Sequence, residues 1–290
     1  MIPRSFARDF SLEATRPGAA EISALAAILP PGTPVFLTAV PTVGSNDVVA
    51  AAAGLRKAGL EPVAHIAARR LSGATQLSEM LVGLRGEADM RRLLVIGGDV
   101  DTAGPFSDAL AVIQKGRLRE LGFEAVAIGA YPEGHPRIAQ RLLEAALDQK
   151  IAAARAAGLE VTIVSQFSFS AERILAWFCQ LRACGITVPV KVGLAGPASL
   201  TALLRYARRC GVSASLRGLM SGAANGLIGH AGPDPIIEAL AAAGDLSAGD
   251  LAIAPHYFSF GGAVETARYA CEAAAGRIAA GRAMAQSTNQ

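Results

Sequence analysis

The stretch Arg92-Leu93-Leu94-Val95-Ile96-Gly97-Gly98-Asp99 joins an apolar run to a pair of glycines and a carboxylate. An apolar run without polar alternation is typical of a parallel strand that helices cover on both faces. The segment that follows, 107–121, is predicted to be a helix. The stretch therefore predicts one strand-then-helix unit with a polar turn where the strand ends.

The whole chain repeats this order of a short strand and a longer helix. The predicted strands are 10–14, 34–40, 62–67, 92–96, 125–130, 161–167, 189–194 and 251–258. The predicted helices are 19–29, 45–59 (capped by Ser45 or Asn46), 75–84, 107–121, 137–157, 171–184, 198–209 and 264–280. Eight such units predict an α/β protein, a (β/α)8 TIM barrel. A doubly wound open sheet is the alternative, although no GxGxxG motif follows the first strand.

The composition argues against several classes of protein. A length of 290 residues suits one barrel, and we expect a single catalytic domain over residues 1–290. Charged residues, Gly or Pro interrupt every apolar run before the roughly 20 residues that span a bilayer, so no membrane partner is expected. The 27 basic and 24 acidic residues are scattered, which argues against a nucleic-acid partner.

Cysteines and histidines lack the spacing of metal sites. The 4 cysteines form no CxxC pair, which favours buried thiols in a reducing compartment. No HxH, HExxH or DxD pattern occurs, so no metal is expected. The first ten residues carry charges and lack the apolar segment of a signal peptide, which predicts a cytoplasmic protein. Assembly into a homo-oligomer stays open.

Two carboxylates occur where predicted strands end, which is the functional face of a barrel of this kind. Glu13 lies in an apolar strand, where burial would raise its pKa and suit a general acid. The alternative is a carboxylate that pairs with an arginine at the rim. Asp99 follows two glycines, which allow close approach of another molecule. It could hydrogen-bond a ligand or stabilise a cation, or simply cap a turn.

Three further features mark the same face. The loop 131–136 holds two prolines, Glu133 and His135, and predicts either a binding loop or a stiff connector. Gln166 offers both a donor and an acceptor, which suits the edge of a pterin or a satisfied core amide. His65 ends the third strand, where a lone histidine is more often packed than a ligand.

Four motifs in this order resemble the methylenetetrahydrofolate reductase family. They are Phe10-Ser11-Leu12-Glu13, Gly98-Asp99, Ala130-Tyr131-Pro132-Glu133-Gly134-His135-Pro136 and Gln166-Phe167-Ser168-Phe169. The ending His256-Tyr257-Phe258-Ser259-Phe260 is also similar to the closing strand of that family. The likeness spans almost the whole chain.

The resemblance implies an eight-stranded barrel that binds FAD and takes hydride from NADH or NADPH. It implies an oxidoreductase that reduces 5,10-methylenetetrahydrofolate to 5-methyltetrahydrofolate, in one-carbon metabolism and methionine biosynthesis. Glu13 would be the general acid that opens the imidazolidine ring to the 5-iminium cation. Asp99 would stabilise that cation and hold the pterin, and Gln166 would hydrogen-bond the folate.

The resemblance also assigns binding residues by position. The implied substrate-binding residues are Asp99, Gln166, Phe167 and Met220, the last near the family's stacking aromatic. The implied cofactor-binding residues are Thr42, His65, Gly97, Gly98, Asp99, Ala130, Tyr131, Glu133, His135 and Lys150.

The chain departs from the family's pattern on the fourth strand. The family commonly carries Arg-Gly-Asp there, whereas this chain has Gly97-Gly98-Asp99, which removes a cationic contact near the cofactor. Three alternatives therefore remain: a flavin-independent methylenetetrahydropterin reductase, an enzyme that oxidises methyltetrahydrofolate in one-carbon catabolism, and a folate-binding barrel without turnover. Glu13 argues against the last, because binding alone needs no acid.

Overall fold

The computed structural model describes residues 4–41, 43–101, 104–212, 230–231, 233–242 and 253–277. Eight parallel strands form a closed ring in which each strand pairs with the next and the last pairs with the first. They are β1 Ser11–Ala14, β2 Pro34–Leu37, β3 Glu61–Ala67, β4 Arg92–Ile96, β5 Ala125–Ala130, β6 Glu160–Ser165, β7 Val190–Ala195 and β8 Ile253–Phe258. The ring confirms the predicted (β/α)8 barrel and excludes the open sheet.

Helices connect these strands throughout the described part of the chain. They are α1 Arg4–Arg8, α2 Ala19–Ile28, α3 Ser45–Lys57, α4 Ala74–Ala88, α5 Ala109–Lys115, α6 Gln140–Ala156, α7 Ala171–Ala183, α8 Leu200–Cys210, α9 Asp234–Ala242 and α10 Ala263–Ala274. A 3-10 turn, Ala68–Arg70, follows β3. Neither α1 nor this turn is among the predicted elements.

Several elements end earlier than the pattern predicts, and β2 and α5 show why. β2 ends at Leu37 because its ladder with β1 stops at the pair with Ala14. α5 ends at Lys115, and shortly after it Arg117 has a φ of +51°, which a helix does not allow. In both cases a neighbouring element or a backbone turn, rather than the apolar pattern, sets the boundary.

The predicted cap of the second main helix is wrong. Neither Ser45 nor Asn46 is the N-cap of α3, since Gly44 occupies that position. The backbone amide of Gly44 instead donates to Oδ2 of Asp47, at 3.2 Å. The Asp47 carboxylate in the first turn therefore accepts from the N-cap amide, which is the half of a capping box that a glycine N-cap can still form.

Alternating side chains point into the barrel and out toward the helices. The outward side chains and the helices form one large apolar core, whereas a smaller apolar layer fills the middle of the barrel. That inner layer comprises Phe36, Val63, Leu94, Ala127 and Val164. Inward positions nearer the carboxyl ends of the strands face the mouth of the barrel, where polar side chains take over.

Helix α8 lies across this mouth instead of in the outer ring. It starts after β7 and a short strand, Ala198–Ser199, that pairs with His230–Ala231; a Cβ on Gly211, just past its carboxyl end, would overlap the ring of Pro136 in the β5–α6 loop. Tyr206 stacks on Phe260, beyond the end of β8, with 4.2 Å between the ring centroids. Both ends of α8 are therefore at the mouth, whereas an ordinary barrel helix returns to the opposite end.

Helix α9 occupies the position in the outer ring where the helix after β7 packs in an ordinary barrel. It packs against α7, and the hydroxyl of Tyr269 on α10 donates to the carboxylate of Asp234, the first residue of α9. The helix predicted over 198–209 therefore exists as α8, but the helix that covers the barrel wall between α7 and α10 is a later one.

Candidate functional site

Glu13 lies inside the barrel between two histidines from other strands. Its Oε1 is 3.7 Å from Nε2 of His65 on β3 and 3.6 Å from Nε2 of His256 on β8. Nδ1 of His256 is 2.9 Å from Oγ of Ser11, which fixes that ring. The ring of Phe36 packs edge-to-face against both histidines from below. The partners of Glu13 at ion-pair distance, within the described chain, are thus histidines and not the alternative arginine.

Burial sets the protonation of these three groups. It raises the pKa of Glu13 from its ordinary 4.5 to about 7, against a smaller opposing effect of His65. It lowers the pKa of His65 to about 4 and that of His256 to about 3. Near neutral pH the cluster therefore consists of two neutral imidazoles and a carboxyl group poised to give up or take a proton.

The two histidines each present an unused atom to this cluster. Nε2 of His65 and Nε2 of His256 are fully buried and have no hydrogen-bond partner among the residues that the structure describes. Buried polar atoms of this kind usually have a partner, so such pairs mark where a ligand or an ordered water belongs. The position at the bottom of the mouth suits a heterocycle that offers both donors and acceptors.

Asp99 is held between two arginines rather than beside Glu13's histidines. Arg70 of the 3-10 turn donates to Oδ1, and Nη2 of Arg209 on α8 donates to Oδ2 at 3.2 Å. Partial burial raises the pKa of Asp99, but these two hydrogen bonds outweigh it and keep the pKa below its usual value. Asp99 is therefore ionised, and its side chain remains 52% exposed.

Another segment of the same chain packs against the two glycines before Asp99. Gly98 has a φ of +92°, and a Cβ there would lie 3.5 Å from Cβ of Ala67. The amide of Arg69 donates to the carbonyl of Gly97 at 2.9 Å. The 3-10 turn thus packs directly on Gly97 and Gly98 and brings Arg70 to Asp99.

The loop after β5 presents an aromatic pair at the mouth. The rings of Tyr131 and His135 meet edge-to-face with 5.1 Å between their centroids. Gly134, with a φ of +77°, closes the turn by donating its amide to the carbonyl of Tyr131. Burial raises the pKa of Tyr131, and burial with Arg137 lowers that of His135, so both rings are neutral.

The other predicted cofactor residues near β5 lie behind this loop. Nζ of Lys150, on α6, donates to the carbonyl of Gly129 at 2.9 Å, and burial lowers its pKa to about 8. Glu133 lines a groove between the loop and α7. Ala130 is buried, and its carbonyl accepts from the amide of Gln166. A flavin contact by Lys150 would require its ammonium group to leave Gly129.

Gln166 lies at the mouth because the chain turns inward after β6. A side chain on Gly193 of β7 would overlap the backbone of Gln166, so the glycine leaves room for this turn. Oε1 of Gln166 accepts from the amide of Phe167. Phe167 itself is 1% exposed and packs against Phe258 and Phe260. Gln166 thus borders the mouth, while Phe167 supports it from within.

Two predicted residues, Thr42 and Met220, lie outside the described residues. The structure instead brings forward residues that the pattern did not single out as functional: Ser11 and His256 beside Glu13, and Arg70 and Arg209 beside Asp99. A closed ring makes β8 the neighbour of β1, so the pair Ser11–His256 could have been found from the predicted topology. No feature of the sequence indicates that Arg70 and Arg209 lie beside Asp99.

Cys210, at the carboxyl end of α8, connects the two carboxylates in space. Burial raises the pKa of its thiol to about 11, Arg209 opposes this, and the charges of Glu13 and Asp99 add to it. Cys210 at the end of α8 thus lies within electrostatic range of both Glu13 and Asp99. Among the described residues, no group of three metal-binding side chains is present, and no helix is long and apolar enough to cross a membrane.

Solved structures with this architecture show what the chain is similar to. A protein from Clostridium thermocellum described as binding two copies of 5-methyl-5,6,7,8-tetrahydrofolic acid matches with a TM-score of 0.59 at 11% identity, over 93% of this chain and 94% of that one. Dihydropteroate synthase from Thermus thermophilus matches with a TM-score of 0.50 at 15% identity, over 93% and 94%. No protein-family model matches the chain. At these identities the likeness shows the fold alone, a (β/α)8 barrel.

Proposed function

We propose that this chain is a methylenetetrahydrofolate reductase-like oxidoreductase. It would reduce 5,10-methylenetetrahydrofolate to 5-methyltetrahydrofolate with hydride from NADH or NADPH through FAD. The observation that carries the proposal is the buried Glu13 carboxyl group between His65 and His256 at the mouth of the barrel, where burial raises its pKa to about 7. The order of the four sequence motifs supports it independently.

The chain's own residues suit the steps of this reaction. Glu13, protonated near neutral pH, would donate a proton to the substrate nitrogen as the imidazolidine ring opens. Asp99 would stabilise the resulting 5-iminium cation once its carboxylate exchanges the hydrogen bond with Arg209 for the substrate, because Arg70 and Arg209 together otherwise cancel its negative charge. Gln166 would orient the pterin edge, and His256, held by Ser11, would position Glu13. Closing the site from water would keep these charges effective.

The residues also fit a bound flavin. His65 offers a buried, unpartnered Nε2, and the neutral rings of Tyr131 and His135, which meet edge-to-face, provide an aromatic surface at the mouth. When bound, FAD would accept hydride from the nicotinamide and pass it to the substrate. Gly97 stands where the family carries an arginine, but Arg70 places a cation beside Asp99. The absence of an arginine on β4 therefore does not by itself argue for a flavin-free enzyme.

The neighbours with this fold support a pteridine ligand. One is described as binding 5-methyltetrahydrofolic acid, and another is a dihydropteroate synthase. A folate-binding barrel without turnover is the second candidate, and the first of these neighbours favours it. The reverse oxidation and a flavin-independent reductase use the same acid cluster.

A visible absorbance spectrum of the purified protein tests the proposal first. We expect a flavin spectrum that NADH or NADPH bleaches without air and that methylenetetrahydrofolate restores. Restoration is the outcome that requires turnover. If the protein binds the pteridine but shows no flavin absorbance, even after FAD is supplied, the fate of the nicotinamide separates the remaining candidates. Oxidation of NADH or NADPH by methylenetetrahydrofolate would favour direct hydride transfer. No oxidation would favour the folate-binding barrel.

A further inference from the structure

The outward face of α6 exposes apolar side chains that the barrel core does not use. Among the described residues, three large apolar side chains are exposed, and two of them, Ile138 and Leu142, lie four residues apart where α6 starts. Further exposed residues recur after Leu142 at helical spacing, namely Ala145, Gln149, Ala152 and Ala156. Since these residues are uncharged and mostly small, they continue the apolar face along the helix.

No element in the described part of the chain covers this face. The opposite side of α6 buries Leu147, Ile151 and Ala154 against the barrel, and α5 packs beside the helix. On the other flank, grooves separate α6 from α7 and from the turn that follows α7. An apolar face that stays exposed between polar residues is typical of an interaction surface.

Two charges of opposite sign lie beside this face. Arg141 and Asp148 are exposed, and neither has an ion-pair partner among the residues that the structure describes. Their separation of two helical turns, about 10 Å along the axis, places them on the same side of α6. It is too long for a pair within one helix, where partners are three or four residues apart. Glu144, which lies between them in sequence, instead accepts from the side-chain amide of Gln180 on α7 at 2.7 Å.

We propose that α6 forms the interface of a homodimer, in which it packs antiparallel against α6 of a second copy across a two-fold axis near Ala145. Arg141 of each copy then meets Asp148 of the other, so the same two residues satisfy both halves of the interface. A second copy already carries charges at the matching separation, which is why it fits this face better than an unrelated protein. The small side chains at the centre allow the two helices to approach closely.

Sedimentation velocity of the purified full-length protein, over a range of concentrations, tests this interface. One helix from each copy buries little area, so we expect a weak dimer with a dissociation constant in the micromolar range. Arg141→Glu and Asp148→Arg should each raise that constant about tenfold or more, because like charges then face each other. The two single variants mixed in equal amounts should form a heterodimer of wild-type affinity, since each supplies the charge that the other lacks. Arg268→Glu, which reverses an exposed arginine on α10, is the matched control and should not change the dissociation constant.

Three outcomes would overturn the proposal. The first is a wild-type protein that stays monomeric up to about 100 µM. The second is a dimer that persists in both Arg141→Glu and Leu142→Asp, which would place the interface on another surface. The third is a pair of single variants that lose the dimer and do not recover it when mixed, which would rule out the pairing of Arg141 with Asp148. The inference does not depend on the proposed function, because these residues lie outside the acid cluster.

Discussion

Glu13 keeps its proton near neutral pH because the barrel removes water from it without supplying a cation. His65 and His256 are themselves buried and neutral, so they cannot stabilise a carboxylate as an arginine would. Their Nε2 atoms lie beyond hydrogen-bond distance of Glu13, at 3.7 and 3.6 Å. The carboxyl group is therefore available to a ligand rather than committed to an ion pair.

The pH dependence of turnover should report this carboxyl group. With a pKa near 7, Glu13 is protonated below that pH and loses its proton above it, so the rate of methylenetetrahydrofolate reduction should fall as pH rises through 7. Glu13→Gln should lower the rate by about a hundredfold or more and remove this pH dependence. Rapid-mixing kinetics across the pH range would measure both effects.

Glu160→Gln provides the matched control, because Glu160 is an exposed carboxylate at the opposite end of the barrel. It should leave the rate and its pH profile unchanged. A Glu13→Gln variant with full activity would show that the proton comes from another group. A wild-type rate that instead rises through pH 7 would mean that Glu13 acts as a base.

Sequence reasoning reached Glu13 but not its environment. A carboxylate inside an apolar strand is unusual enough to be found from one segment alone. His65 and His256 come from β3 and β8, which lie on either side of β1 in the ring, so they flank Glu13 only when the predicted strands are assembled in order. The partner of Asp99 was missed for a similar reason: Arg70 reaches it through a 3-10 turn that has no clear pattern.

At the scale of elements, α8 is the part of the fold that most affects access. Two specific contacts hold it over the mouth: the stack of Tyr206 on Phe260 and the ion pair of Arg209 with Asp99. An aromatic pair adds about 1 kcal/mol beyond its buried area, and an exposed ion pair no more than that. These two contacts are weak, so most of what holds α8 over the mouth is the burial of its apolar residues Leu203 and Ala207.

The reactivity of Cys210 should report the position of α8. The thiol is half-buried at the end of the helix, so it reacts with iodoacetamide mainly when α8 leaves the mouth. Tyr206→Ala removes the stack on Phe260 without changing any charge, and should speed the labelling of Cys210 about fivefold. Mass spectrometry of the labelled peptides would measure the rate.

Cys179 and Cys184 are exposed on the other side of the barrel wall and serve as internal references in the same sample. Their labelling should not change. If Cys210 labels at the same rate relative to Cys179 in both proteins, the stack does not hold α8 in place. If the labelling of all three rises together, the variant has loosened the whole fold and not only the helix.

The strands and the outer helices were predictable because burial imposes a repeating pattern on them. A parallel strand covered on both faces must be apolar, and β4 is the clearest case. The position of α8 was not predictable, because a helix over a mouth and a helix on a barrel wall both need one apolar face. Only contacts at the ends of α8, such as Gly211 against Pro136, distinguish the two.

At the scale of the whole molecule, the acid cluster is a cost that the barrel core must offset. Ionising Glu13 inside the fold is less favourable than ionising it in the unfolded chain, since its pKa rises from 4.5 to about 7 on folding. The folded state therefore binds more protons than the unfolded state between these values. The free energy of unfolding consequently falls as pH rises through this window.

Glu13→Gln should remove this cost and nothing else that titrates in the same range. Relative to the wild type, the variant should gain stability as pH rises from 5 to 8, by about 3 kcal/mol. His65 and His256 are present in both proteins, so their own titration at lower pH largely cancels in the difference. Denaturant unfolding of both proteins at each pH would measure the gain, with Glu160→Gln as the control.

A difference in stability that stays constant with pH would show that Glu13 titrates alike in the folded and unfolded chains. A difference that grows as pH falls would indicate a carboxylate stabilised by a cation, which would remove the physical basis for its role as an acid.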